Sequence, residues 1–273
     1  MIDNQLQQNL REEFNPEGSE LRKLQLGALS ILLDIDKFCR KHQIQYWIAS
    51  GTLLGAVRHG GFIPWDDDLD IEMTEAEFKK FEKAVETYGF ESKQKLVLQT
   101  HQTDPMYFIM HAKVRNEDWP ITDIFGMDRG YKYKGIFIDI FHLRRSCYAL
   151  NKIFSYSGKV IDKLSMMPHC LGLRTFVLKS YQFLVNDCII APIALIADKC
   201  CTNYYEWMGS RWKPSPRKPK DIFPLKEIEF EGHTFWGPTN PDAYLTYMYG
   251  NYNELPNLEN LRKHTVLQNG SEI

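Results

Sequence analysis

No two of the six cysteines, Cys39, Cys147, Cys170, Cys188, Cys200 and Cys201, stand at C-x-x-C spacing in this 273-residue sequence. That scatter argues against a disulfide framework and against a zinc ribbon, and it is the pattern expected of a reduced, cytoplasmic protein. A charge excess is lacking too: 33 basic and 35 acidic residues leave a formal net charge of -2. No global field draws nucleic acid, so any negatively charged substrate must be held locally. Long apolar runs are also missing. The richest stretch, 176–197, is broken by Lys179, Asn186 and Asp187, and its unbroken part, 188–197, is far shorter than a bilayer span of roughly 20 residues. It reads as a buried or interfacial helix, contact with a membrane surface included. The opening MIDNQLQQNLREEFNPEG lacks the apolar centre of a signal peptide and reads as a frayed polar arm. Neither an internal repeat nor an EF-hand loop is visible.

Apolar residues make up 44% of the chain, enough for a large core. Residues 21, 24, 28, 31, 35 and 38 recur at helical spacing, which predicts an amphipathic helix. IQYWIAS (44–50) predicts a strand, and 52–58 a short helix capped by Ser50 or Thr52 and closed by Gly60-Gly61. DLDIEM (68–73) alternates strictly, and Thr74-Glu75-Ala76-Glu77 reads as a capping box for a helix with Phe78, Phe81, Val85 and Tyr88 on its apolar stripe. Alternation at 95–99, 107–115 and 135–143 supplies further strands.

The fold class implied is α+β: a mixed sheet of about five strands with flanking helices, followed by a largely helical part. The catalytic core is placed at 20–145. A helical and hairpin-bearing part, 146–273, completes the substrate site. There, RWKPSPRKPK (211–220) reads as an exposed basic loop, 227–238 as a hairpin turning at Glu231-Gly232, and Asn240-Pro241 as the start of a helix ending near Gly250.

The chemistry concentrates in DDDLD (66–70). Asp68 and Asp70, two apart on a strand, share a face, with Leu69 and Ile71 directed to the core. Two carboxylates so placed repel unless a cation lies between them. Oxygen ligands beside a phosphate-bearing substrate suit Mg2+, with Mn2+ as a substitute. Asp139, an acid among aromatics in GIFIDIFHL (135–143), is the candidate third ligand and candidate general base; its bland reading is a hydrogen-bonded core carboxylate. Asp66 and Asp67 read as capping or supporting residues.

Ser50, Gly51 and Thr52 form a helix-entry turn where backbone N–H groups can approach a phosphate. Arg58, Lys113 and Arg115 are candidate phosphate clamps, Lys113 and Arg115 equally readable as a solvated strand face. Trp65, Tyr249 and Tyr252 could stack on a base or cage a cation, although a Trp after Pro more often simply packs. Arg262 and His264 form a basic pair on a polar tail. The basic loop is either solvated or a contact for an anionic acceptor.

The stretch SGTLLGAVRHGGFIPWDDDLDI (50–71) resembles the signature of the LicD/fukutin-like phosphotransferase family, a branch of the nucleotidyltransferase fold. FIDIF (137–141), IFPLKEIEFEG (222–232) and AYLTYMYGNY (243–252) followed by Leu255-Pro256 extend the resemblance over about residues 20–264. It implies transfer of a phosphorylated alcohol, phosphocholine- or phosphoribitol-like, from a CDP-linked donor to a sugar hydroxyl of a glycan or lipid-linked glycan, with release of CMP. The inner face of the membrane is where a lipid-linked acceptor would be met. By the same resemblance Asp68 and Asp70 are the metal-binding D-x-D, Asp139 the third carboxylate and Ser50-Gly51 the phosphate turn. One departure stands out: where the family commonly has Tyr-Gly-Asp-Tyr-Met, this chain has YGNYN (249–253), with Asn251 in place of the acid. Two other readings compete. One is a nucleotidyltransferase moving NMP from an NTP to a small alcohol or sugar, and the other an inactive glycan-binding protein, against which the three retained carboxylates speak.

Overall fold

A computed structural model describes residues 2–123, 128, 130–165, 171–207, 214–258 and 265–267. The helix expected from the 21–38 stripe is α2, Glu20–Lys41, capped by the Ser19 side chain, which accepts from the Arg22 N–H at 3.1 Å. Of that stripe Leu24, Ala28, Ile31, Ile35 and Phe38 are buried, and Leu21 is half-buried. The preceding residues are not a frayed arm: they form α1, Asn4–Phe14, with Asp3 as its cap. Leu6, Leu10 and Phe14 make a thin stripe at four-residue spacing; Leu10 is buried, and Phe14 meets Trp65 edge-on with centroids 5.5 Å apart. One buried leucine is a weak signal in sequence, yet enough to seat a helix that also has an ion pair from Arg11 to Glu231 at 3.5 Å.

The central sheet runs β1 (Trp47–Ile48), β2 (Asp70–Thr74), β5 (Gly135–Arg145), β4 (Ala112–Asp123), β3 (Leu96–Gln99). Short strands β6 (Tyr204–Glu206) and β9 (Thr265–Leu267) pair with β5 and β4. β2 and β5 are parallel, the other neighbours on the main path antiparallel, so the sheet is mixed. Three expected strands shift. β1 is shorter than 44–50, because Ile44 N–H closes the end of α2 on Cys39 O and only Trp47 and Ile48 have strand partners. β2 begins at Asp70, leaving Asp66–Asp68 in irregular backbone. β4 starts at Ala112 instead of 107, because Phe108 is drawn away from the sheet into a cluster with Ile161 and Leu178.

Between β1 and β2 lies α3, Ser50–His59, whose N-cap is Ala49 without a side-chain cap, rather than Ser50 or Thr52. After β2, α4 (Glu75–Tyr88) is capped by Thr74 through the Glu77 N–H, but the Glu77 carboxylate accepts from Gln45 N–H, so the capping box is half made. Phe78 and Phe81 are buried as expected, while Tyr88 is exposed. The later part contains α5 (Tyr148–Ser165), α6 (Leu171–Tyr181), a π-helical segment (Gln182–Ile190), α7 (Ala191–Cys200) and α8 (Pro219–Ile222). β7 (Lys226–Phe230) and β8 (His233–Gly237) form the expected hairpin. Its two-residue turn places Glu231 and Gly232 at φ of 49° and 73°, the left-handed pair that such turns require. α9, Pro241–Tyr249, starts on an Asn240 side chain that accepts from Ala243 N–H, also as expected. One buried cluster joins α2, β1, β2, β4 and β5 to Phe230, Phe235, Tyr244, Leu245 and Tyr252.

Candidate metal and substrate site

Sheet register assembles the acidic site. Asp70 on β2 is the direct partner of Asp139 on β5, Asp139 of Lys113 on β4, and Lys113 of Gln99 on β3. Side chains at paired positions of neighbouring strands project to the same face, so one row runs carboxylate, carboxylate, ammonium, amide. Asp68 approaches from the preceding loop: Asp68, Asp70 and Asp139 each offer an oxygen within 4.8 Å of the others. Asp66, Asp67 and Asp68 form a second such group. Leu69, between the two acids of the D-x-D, and Ile71 are buried and hold this strand end in the core.

The first turn of α3 fixes Asp70. Asp70 N–H donates to Thr52 Oγ1 at 2.7 Å, and Gly51 N–H donates to Asp70 Oδ2 at 3.3 Å. Ser50, at φ 45°, directs its N–H to the Tyr244 hydroxyl at 3.3 Å. The amides of Ser50 and Gly51, read in sequence as facing a phosphate, have partners inside the protein, and Thr52 is buried against Asp70. A Cβ at 51 would lie 2.8 Å from Asp66 Oδ2, so a side chain there requires the Asp66 carboxylate to move. Glycine at this position lets the acidic loop close on the helix.

Electrostatics divide the acids. Burial, then the neighbouring Asp68, Asp139 and Asp66 charges, push the Asp70 carboxyl well above its ordinary pKa, with the Gly51 N–H opposing. Asp66 rises similarly through burial, Asp68 and Asp67. Burial acts upward on Asp139 as well, but Lys113 and His111 outweigh it and hold that carboxyl well below the usual range. Lys113 is buried, ion-paired to Asp139 Oδ1 and seated 3.3 Å from the centre of the Phe137 ring. His111 Nε2 lies 3.4 Å from the same oxygen. Converging oxygen donors, with Asp66 and Asp70 pressed by burial and then by charge of their own sign, fit a hard divalent cation.

The other residues singled out in sequence occupy varied places. Arg58 is buried and its Nη1 donates to the carbonyls of Tyr252 (2.9 Å) and Glu254 (3.2 Å), so it fastens α3 to the segment after α9 instead of presenting a free guanidinium. Arg115 is buried, bonded to Gln99 and to Gly135 O; neither it nor Lys113 is part of a solvated strand face. Trp65 packs between Phe14 and His59. Tyr249 is 44% exposed as a residue, yet its hydroxyl is deep enough that burial, followed by Asp70 and Asp66, raises its pKa. Tyr252 is buried with its hydroxyl donating to Asp242, and the Asn251 amide donates to Glu254. Arg262, His264 and residues 211–213 of the basic loop lie outside the described residues.

Two contributions went unread in the sequence. Glu72, on the same strand face as Asp70, is fully buried: its Oε1 accepts from Arg217 Nε (2.8 Å) and Tyr244 OH (3.0 Å), and Oε2 from Trp47 Nε1 (2.9 Å). Arg217 therefore leaves the solvated loop assigned to it and sits 2% exposed between Glu72 and Glu206. The alternation of 68–73 marked Glu72, but nothing local marks a partner 145 residues away. Gln25 on α2 is the second: its amide donates to Asp66 O at 2.8 Å, and its carbonyl accepts from Asn15, steadying the acidic loop from behind.

A mixed sheet carrying this acid row opposite a helix entry fits an enzyme of the nucleotidyltransferase-fold phosphotransferase type. Residues 43–170 match the family model described as LicD/FKTN/FKRP, nucleotidyltransferase domain, a match that supports a LicD/fukutin-like phosphotransferase. The chain is 26% identical to lipopolysaccharide cholinephosphotransferase LicD of Haemophilus influenzae over 272 residues, covering 90% of this chain and 96% of that one. Over 49 residues it is 55% identical to an uncharacterized protein of Rickettsia prowazekii, 18% of each chain. A 28-residue stretch, 10% of this chain and 6% of the relative, is 57% identical to human ribitol 5-phosphate transferase FKRP.

Proposed function

We propose that this protein transfers a phosphorylated alcohol, phosphocholine- or phosphoribitol-like, from a CDP-linked donor to a sugar hydroxyl of a glycan. The observation that carries the reading is the convergence of Asp68, Asp70 and Asp139, whose oxygens lie within 4.8 Å of one another at the entry of α3. The names of the Haemophilus and human relatives, a cholinephosphotransferase and a ribitol 5-phosphate transferase, support the class of group moved. In the reaction the acceptor oxygen forms a bond to the phosphorus bearing the alcohol. The bond from that phosphorus to the oxygen of CMP breaks, the hydroxyl proton is lost, and CMP leaves.

Asp68, Asp70 and Asp139 are the proposed ligands of Mg2+, or Mn2+ in its place. When bound, such an ion supplies positive charge to the phosphate oxygens and acidifies a nearby hydroxyl. Asp139 serves as a ligand rather than a general base, because Lys113 and His111 keep it ionised and weakly basic. Lys113, ion-paired to Asp139, fixes that carboxylate and adds positive charge at the edge of the phosphate position. Tyr249 borders the same space from α9.

The test is product analysis with CDP-choline and CDP-ribitol, Mg2+ and a glycan acceptor. CMP and a phosphoalcohol-bearing glycan are expected. Pyrophosphate released from an NTP, with no CMP, would instead assign NMP transfer. Asp68→Asn and Asp70→Asn should each lower turnover by about a thousandfold, equivalent to roughly 4 kcal/mol of transition-state stabilisation, while retaining the fold. Wild-type turnover in either variant sinks the ligand assignment.

A further inference from the structure

The helical layer faces outward with the wrong kind of residue for a surface in water. On α5 the inward stripe is Phe154 and Ile161, yet the outward side carries Ile153 and Tyr156, 59% and 61% exposed, with Val160 beside them. Lys152, Lys159 and Lys163 share that outward side, Lys159 lying 5.8 Å from the Tyr156 ring centre. The pattern continues over α6, the π-helical segment and α7. Leu178, Ile190, Ala194 and Ala197 face in, while Phe176, Phe183, Ile189 and Ile196 stand 55–69% exposed. Isolated exposed apolar residues are ordinary; a succession over consecutive helices marks a contact surface.

Charge says what the contact is. Residues 148–200 hold six basic and three acidic residues, a net +3, while the whole chain carries -2, so the remainder carries -5. One of the acids, Asp198, accepts from Arg145 N–H, while Asp187 is exposed among the apolar residues. Lysine is depleted from the cores of protein–protein interfaces. Lysines interleaved with Ile, Tyr and Phe on a helix lying flat suit a bilayer carrying anionic headgroups, where the rings and aliphatic chains enter the interface and the ammonium groups meet phosphates. No helix among the described residues is long and apolar enough to cross a membrane, so contact of this kind is peripheral.

We propose that the outward surface of α5, α6 and α7 docks on an anionic lipid bilayer. The layer is joined to the acid row through a short path. Phe108 packs on Ile161 and Leu178, Met110 packs against both helical clusters, and His111, next in sequence, reaches Asp139. A protein seated this way holds its carboxylates a fixed distance from the lipid, within reach of an acceptor carried by the membrane. The docking itself does not depend on which donor or alcohol the site uses.

Vesicle flotation of the full chain tests this, comparing phosphatidylcholine alone with phosphatidylcholine containing about a third phosphatidylglycerol. Binding to the anionic vesicles, at least about tenfold weaker to the neutral ones and weakened by salt, is expected. The combined Lys152→Glu, Lys159→Glu and Lys163→Glu variant should lose about fivefold in affinity per lysine or more. Phe176→Ser with Phe183→Ser and Ile196→Ser should lose binding while melting at the wild-type temperature, since all three are exposed. Failure to bind either vesicle, or binding unaffected by both sets of substitutions, overturns the proposal. So does a wild-type dimer in solution that the serine variant converts to monomer, because that result assigns the surface to a second copy.

Discussion

Asp70 and Asp139 face each other across β2 and β5, yet their pKa values are driven in opposite directions, because only Asp139 has a buried ammonium beside it. Lys113→Met removes that counter-charge and leaves Asp139 buried without it. Breaking a buried pair by deleting one partner costs about 3–5 kcal/mol, so the metal-free variant should melt well below wild type. If Asp139 is a ligand, Mg2+ should recover part of the loss, and the Mg2+-induced rise in melting temperature should exceed that of wild type. An equal or smaller rise speaks against Asp139 as a ligand. His59 supplies the pH prediction. Burial, then Arg58 and Arg11, lower its pKa to about 3. Its Nε2 accepts from Arg58 Nε at 2.9 Å, which a protonated ring cannot do. The unfolded chain takes up a proton near pH 6.5 and the folded chain does not, so stability present above that pH declines as pH falls from about 6.5 toward 3. Denaturant titrations of wild type and His59→Gln should diverge across that window, the variant showing the shallower decline; parallel curves would refute the assignment.

At the scale of elements, β2 is held at two levels. Its first residue, Asp70, is the second acid of the D-x-D and is bonded to the first turn of α3, and two residues on, Glu72 is bonded to β1 through Trp47, to α9 through Tyr244 and to the segment before α8 through Arg217. Tyr244 closes a loop, since its hydroxyl accepts from Ser50 N–H and donates to Glu72. The position of the site is thus set by an ion pair outside the proposed ligand set. Arg217→Met should cost about 3–5 kcal/mol by stranding the Glu72 carboxylate, and Glu72→Gln in the same chain should restore part of it. A denaturant midpoint for Arg217→Met within about 0.5 kcal/mol of wild type would show that Glu72 finds another partner. Local signals served the elements themselves well. The α2 stripe, the 231–232 turn and the Asn240 cap each lie within a few residues of the structure they specify. Strand limits were less legible, because Phe108 leaves the sheet for a helical cluster that forms only when α5 and α6 are in place.

Across the whole molecule, the buried cluster that begins at Leu24 reaches Tyr252, and Arg217 and Tyr244 complete contacts of the acidic strand. We therefore expect the full chain to unfold in a single thermal transition. A fragment of residues 20–145 should lack the sharp melt of a folded domain, because Glu72 would be exposed to solvent or left unpaired without its later partners. A cooperative fragment with native-like near-ultraviolet dichroism would establish an independent core. Much of this protein was settled by the sequence alone: the alternation within 70–73 that faces Asp70 and Glu72 one way, the acid among aromatics at 139, the Thr74 and Asn240 caps and the 231–232 turn. These depend on geometry that repeats over two to four residues, so neighbours in sequence suffice to define them. Only the tertiary structure decided that Arg58 and Arg217 are buried anchors, that the Ser50 and Gly51 amides serve Tyr244 and Asp70, and that Lys113 restrains Asp139. Those outcomes turn on which side chains meet across tens to more than a hundred residues, and burial then makes each unpaired charge too costly to leave.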